Sequence, residues 1–252
     1  VSWPVLCAVW RREGIMFRRY WLATTFGALV EPLIYLAGFG LGFGLLVDRV
    51  DGHPYLDFIG TGTVVTSVLF ASAFAGMFET FYRRTQQRIY EVMLTQPVRV
   101  SAVVGAEASW TAVKSAGFGC APLVVSLFFG LAPRWEMLLV PVVGLVAGLG
   151  FALFGMWISV LVSAVDGLRL VTSGLLTPLV MVGGVFFPLT GMPSWLTVIA
   201  QFNPIQHCVQ LVRHASFGVL GAADVGHALV LLAFAALLWP LSVRGLARRL
   251  AD

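Results

Sequence analysis

Three ionisable residues stand in stretches otherwise apolar enough to cross a bilayer: Glu31 in ALVEPLIYL, and Glu107 and Lys114 in GAEASWTAVKSAG. A charge at such a position can carry a proton, contact a substrate or pair with another charge. Glu107 and Lys114 are seven residues apart, on one helix face but about two turns distant, too far for a direct pair. Their expected role is the plain one, a place at the membrane interface with backbone or partner-subunit pairing. Glu31 stays open between a polar path and structure, because Pro32 frees a backbone carbonyl nearby.

Other chemistry is thin. The only lysine is Lys114, preceded by Val113 rather than glycine, so no P-loop can form. HExxH and GxSxG are absent. Ser173 in VTSG, with His227 as a distant base, has Val171 where a serine elbow has glycine; such a serine is expected to bond its own backbone. His207 and His214 lie two turns apart beside Cys208, but no third metal ligand has the usual spacing. Cys7, Cys120 and Cys208 are scattered and odd in number, which suggests neither a disulfide framework nor a zinc site.

The elements that must hold these residues are membrane helices. The chain has 252 residues, 59% hydrophobic and 11% charged, too apolar to wet a soluble surface. The net charge of +4 comes with no basic patch interleaved with aromatics, which argues against nucleic acid. No cleavable signal peptide is expected, because Arg11, Arg12 and Glu13 interrupt the first apolar stretch. Aromatics and arginines mix over 3–20 and predict a helix lying in the membrane interface, with Trp10, Arg11, Arg12, Arg18 and Arg19 on it; the plainer reading is an extended start to the first span. Spans are predicted at about 21–47, 58–80, 101–130, 137–163, 170–188 and 224–243. GxxxG spacings at Gly38/Gly42, Gly40/Gly44 and Gly144/Gly148 permit close helix contact, expected to be packing within the chain.

Residues 188–218 differ from a span. Pro193 and Pro204 divide them into two pieces too short to cross, and Gln201, Asn203, Gln206, His207, Gln210, Arg213 and His214 would not face lipid. A re-entrant helical hairpin is the expectation. Six full spans then put both termini on one side. That side collects Arg11, Arg12, Arg18, Arg19, Arg83, Arg84, Arg88, Arg99, Arg169, Arg244, Arg248 and Arg249, against Arg49, Arg134 and Arg213 on the other. The positive-inside tendency makes the termini and residues 83–98 cytoplasmic.

The segment RRTQQRIYEVMLTQPV at 83–98 is a polar island in this apolar chain. Arg84, Arg88, Glu91 and Thr95 follow spacings of four, three and four and would form one stripe on a helix ended by Pro97. Such a helix would lie along the membrane, with a charged edge in the cytoplasm. The blander reading is a solvated loop with one helical turn.

YEVMLTQPVRVSAVVGAEASW resembles the segment that joins the second and third spans in permeases of the type-2 ABC exporter family, through Glu91, Met93, Leu94 and Pro97, then Gly105, Ala106 and Glu107. VEPLIYLAGFGLG at 30–42 resembles the first span of the branch that includes nodulation lipo-oligosaccharide exporters. FFPLTGMPSWLTVIAQFNPIQHCVQLVR at 186–213 is similar to the outer signature of that family. The three matches span nearly the whole chain in order. The resemblance implies a single permease domain over 1–252 with no nucleotide-binding domain, an all-α integral membrane fold of six spans with an interfacial helix at 3–20, a coupling helix at 83–97 and an extracellular-side re-entrant hairpin. It implies no cofactor in this chain, with ATP and magnesium on a separate P-loop ATPase present in two copies, and a second permease, identical or homologous. The coupling helix and the interfacial helix would touch the ATPase. Candidate contacts are Arg84, Arg88, Glu91, Met93, Leu94, Thr95 and Pro97. The hairpin would sit at the exit, making Pro193, Trp195, Asn203, Pro204 and Arg213, with Glu31, candidates for a translocation path. An amphiphilic substrate leaving across a bacterial inner membrane is implied. The rival class is an ion-gradient-driven transporter with Glu31 or Glu107 as proton carrier.

Overall fold

The computed structural model describes residues 3–42, 44, 46–47 and 49–251, and its described side chains exclude those of 23–24, 27–29, 31–32, 35, 40–41, 94 and 251. The Glu31 and Leu94 side chains therefore lie outside the described set. The described chain is helical apart from short connections and a two-stranded ribbon, in which β1 (Arg49–Val50) pairs with β2 (His53–Pro54) around a turn at Asp51 and Gly52.

Nine helices can be followed among the described residues. They are α1 (Trp3–Tyr35), α2 (Tyr55–Thr85), α3 (Ile89–Leu94), α4 (Val100–Phe128), α5 (Val140–Leu161), α6 (Val165–Val182), α7 (Ser194–Gln201), α8 (Pro204–Phe217) and α9 (Ala222–Ala251). Five of them, α2, α4, α5, α6 and α9, are long and apolar enough to cross a membrane. This is a multi-pass membrane architecture.

Two expectations about element boundaries change. The interfacial helix over 3–20 is not a separate element: α1 runs unbroken from Trp3 to Tyr35 and loosens into π-helical geometry only at Leu36–Gly42. Charged side chains alter where a helix face can sit without interrupting its backbone, and no proline falls between Pro4 and Pro32. The single helix over 83–97 is likewise two pieces. Arg83 and Arg84 end α2, Arg88 takes a left-handed conformation (φ 49°), and only then does the six-residue α3 begin. Arg88 breaks the register, so Arg84 and Glu91 do not share one helix face.

The core is built on α2, which is buried along most of its length and packs against α4, α5 and α8. Glycines bring α2 and α5 close. A Cβ on Gly76 would collide with the Ala152 carbonyl, and one on Gly155 with the Ala73 carbonyl. Small residues at a crossing allow this approach, where packing rather than water-driven burial holds helices together. Gly144 and Gly148 press on Ala116 and Ala112 of α4, as packing within the chain requires. Among the described residues nothing lies within contact distance of a Cβ at Gly38, Gly42 or Gly44, and Gly40 lies outside the described side chains. Buried hydroxyls satisfy themselves on their own helices, as Thr63 does on Ile59 O at 2.7 Å and Ser126 on Pro122 O at 2.8 Å.

Residues 188–218 break where expected. Helices α7 and α8 have eight and fourteen residues, about 12 and 21 Å long. Asn203 caps α8 through its Oδ1, which accepts from Ile205 N at 3.0 Å, and Pro204 takes the first helical position. Helix α8 packs between α2, α5 and α9.

Candidate coupling site

Near the junction of α2 and α3, four helices converge on Glu107. This residue lies in the second turn of α4 and is 2% exposed. Its carboxylate accepts from Arg12 Nη2 of α1 at 2.6 Å and from the Tyr90 hydroxyl of α3 at 2.6 Å, and it pairs with Arg83 Nη1 of α2 at 3.2 Å. Arg12 also pairs with Glu13. Arg83 reaches Glu13 at 2.9 Å and Glu79, one helical turn back, at 2.8 Å. Lys114 Nζ stands 3.3 Å from Glu79. Three carboxylates (Glu13, Glu79, Glu107) thus meet three cations (Arg12, Arg83, Lys114), and the group is neutral as a whole.

Neutrality is what makes this burial tolerable. Removing ions from water costs several kcal/mol each, and only good geometry with hydrogen bonds offsets it. Burial, and then the Glu107 charge, push the Tyr90 phenol well above its ordinary range, so it stays a proton donor. Glu107 and Lys114 do not pair directly, in keeping with their spacing. They are joined through Glu79 and Arg83, partners in this chain rather than the backbone or a second subunit.

The network ties α3 to the bundle. Tyr90 is buried against Val103 and Val104, and Met93 packs in the same cluster. Arg12 Nη1 lies 3.6 Å from Met93 Sδ. The opposite face of this segment is exposed at Gln86, Gln87, Arg88, Glu91, Val92, Thr95, Gln96 and Pro97, and Arg88 and Glu91 form a loose pair at 3.9 Å. Arg84 is not on that face. Its Nη2 donates to Ser159 O at 2.9 Å and Val162 O at 3.2 Å, capping the C-terminal end of α5. Arg249 donates to Val160 O beside it.

On α1, Trp10 donates to Ser109 Oγ at 3.1 Å and meets Trp110 edge-on. Arg11, Arg18 and Arg19 are exposed, while Arg12 turns into the network. Alongside lies a cavity of about 430 Å³ lined by Arg12, Glu13, Tyr20, Tyr82, Gln87 and Lys114, among others. It adjoins an apolar groove walled by Phe17, Trp110, Val113 and Phe118, with Lys114 shared between the two.

The residues expected along a path are spread out. Pro193 and Trp195 are exposed at the start of α7. Asn203 is buried, donating from Nδ2 to Leu179 O at 2.7 Å, and with Pro204 it builds the α7–α8 corner. Arg213 is buried on α8. His207 shares a hydrogen bond with His227 at 2.7 Å, and His214 pairs with Asp224 at 2.6 Å, so α8 is laced to α9. Ser173 donates to Arg169 O at 2.9 Å, its own helix.

Sequence reasoning missed Glu13, Glu79, Arg83 and Tyr90 as one unit. The i,i+4 spacing of Glu79 and Arg83 was the available signal, since it predicts a helix-surface pair. Nothing in the order of residues brings position 13 beside position 107.

A family model described as ABC-2 type transporter matches residues 4–217. Nodulation protein J of Rhizobium leguminosarum bv. trifolii is 36% identical over 213 residues, 84% of this chain and 80% of that protein. Nodulation protein J of Sinorhizobium fredii (strain NBRC 101917 / NGR234) is 32% identical over 245 residues, 96% of this chain and 93% of that protein. The inner membrane transport permease YadH of Escherichia coli (strain K12) is 28% identical over 250 residues, 96% of each chain.

Proposed function

The chain belongs to the ABC-2 type transporter family, and from that premise we propose that it is the membrane permease of an ATP-driven exporter, worked by a separate P-loop ATPase that docks on the exposed face of residues 86–97. Two permeases and two ATPase copies would make the unit, in a bacterial inner membrane with both termini cytoplasmic. Helix α1 with its π-helical extension would be the sixth span, and α7–α8 a re-entrant hairpin at the outer side.

The observation that carries this reading is the Tyr90–Glu107 contact. Helix α3 is exposed on one face and held on the other by a charge network reaching α1, α2 and α4. A push on α3 therefore moves a joint shared by three long helices, rather than a free loop. The left-handed residue Arg88 is a natural pivot, because it separates α3 from the end of α2. The absence of a P-loop in this chain agrees with energy arriving from outside. The rival proton-carrier reading loses support at Glu107, whose oxygens are occupied by Arg12, Arg83 and Tyr90 and which is 2% exposed. A carrier must meet water to exchange its proton.

An amphiphile is the substrate class that suits the adjoining cavities. The first is lined by charged residues together with aromatics and the second mainly by apolar side chains, a polar region continuous with an apolar one that suits a head beside a tail. The triple substitution Arg88→Ala, Glu91→Ala, Val92→Ala tests the docking face. In a reconstituted complex it should abolish substrate-stimulated ATP hydrolysis and leave the thermal midpoint of the isolated permease unchanged. Full stimulation in the triple variant would sink the reading.

A further inference from the structure

Arg213 is a buried cation with no ion-pair partner among the described residues, although Asp51 is close enough to act on its charge. It is 8% exposed as a residue, and among the described residues no carboxylate comes within ion-pair distance. Its guanidinium carbon lies over the Phe58 ring, 3.5 Å from the centroid. Nη2 donates to Val185 O at 3.1 Å and, at 3.5 Å, to Phe58 O. Nε is buried and unpartnered. Carbonyl dipoles and a ring face compensate a charge only in part. An unpaired buried charge is among the costliest arrangements a fold can keep.

This cation opens on a cavity. About 230 Å³ is enclosed by Arg213, Gln210 and His214 of α8, Thr190 and Leu189 of the preceding loop, and Asp51, His53 and Phe58 beyond them. His53 and Phe217 stack at 3.7 Å to close one wall. The single carboxylate in the lining, Asp51, is held by Thr190 Oγ1 at 2.9 Å rather than by Arg213. His214 is already engaged by Asp224. The lining therefore offers a guanidinium and an amide around a space large enough for a tetrahedral oxyanion with a polar attachment.

We propose that this cavity is an oxyanion-binding site at the hairpin end of the bundle, in which Arg213 takes the phosphate, sulfate or carboxylate group of an amphiphile. Arg213 holds the charge, Gln210 supplies an amide donor, and the Phe58 ring backs the guanidinium. Asp51 acts as the competing carboxylate, which keeps the bound anion exchangeable. The proposal rests on the export reading only in placing this end at the exit, and its test needs neither ATPase nor transport, so the two can fail separately.

The full chain is placed in phosphatidylcholine nanodiscs and its unfolding midpoint followed with inorganic phosphate against chloride at equal ionic strength. Phosphate should raise the midpoint by about 2–4 °C. Arg213→Gln should lose that rise, and Asp51→Asn should enlarge it. The same comparison with phosphatidylglycerol in the disc and no phosphate separates sources. A rise there that Arg213→Gln removes assigns the site to a lipid headgroup, and a rise with phosphate in neutral discs assigns it to a soluble or substrate-borne anion. Absence of both rises overturns the site. Should Arg213→Gln fail to fold, Asp51→Asn decides alone, and an unchanged or smaller rise overturns it.

Discussion

Arg83, half-buried, and Arg213, buried, are guanidinium groups packed into one bundle, yet they are compensated in different ways. Arg213 sits over Phe58, near the start of α2, and Arg83 comes 25 residues later on that helix, about 37 Å away. Arg83 is shared by Glu13, Glu79 and Glu107. Arg213 has two carbonyls and a ring. A closed network turns several helices into one joint, since no member can leave without stranding a charge. An uncompensated cation contributes little to holding the fold and stays available to an incoming anion.

Removing each arginine should therefore have opposite consequences. Arg83→Met leaves three carboxylates facing Arg12 and Lys114, so it should destabilise the chain by about 3–5 kcal/mol. Thermal unfolding in detergent would show this, and a loss below 1 kcal/mol would break the comparison. Tyr90→Phe should have a smaller effect. It keeps the packing and deletes one hydrogen bond to a charged group, about 1.5–3 kcal/mol. The sharper readout is coupling: ATP hydrolysis in the reconstituted complex should persist while its response to substrate falls. Arg213→Met comes last, with a change near zero or a slight stabilisation, because an apolar side chain of similar length replaces a buried charge that has no ion pair among the described residues. A loss as large as that of Arg83→Met would mean that the two arginines do the same work.

The two regions also differ in how far they could be read from residue order. The end built by α7 and α8 was legible: Pro193, Pro204 and a run of polar side chains point to short broken helices, and α7 and α8 are divided where those prolines fall. The cap by Asn203 follows from its place before Pro204. The arginine-rich end was half legible. Polar spacing over 84–95 suggests one stripe, but backbone conformation at Arg88 is not written in side-chain periodicity, and it moves Arg84 from the exposed edge to the end of α5. Helix α1 shows a related limit. Aromatics and arginines report which faces suit an interface, not where the backbone stops, and the helix runs on to Tyr35.

Composition and hydrophobic run length determined by themselves that this is an all-α, multi-pass membrane protein, because a bilayer admits few ways to satisfy the backbone. The matches at 30–42, 90–110 and 186–213 pointed to its family. Only the tertiary structure decided what the buried charges are for. Pairing depends on distances between residues as remote as 12, 83 and 107, and a charge's cost depends on whether such a partner arrives. Glu107 found its cations within the chain, and among the described residues no carboxylate pairs with Arg213.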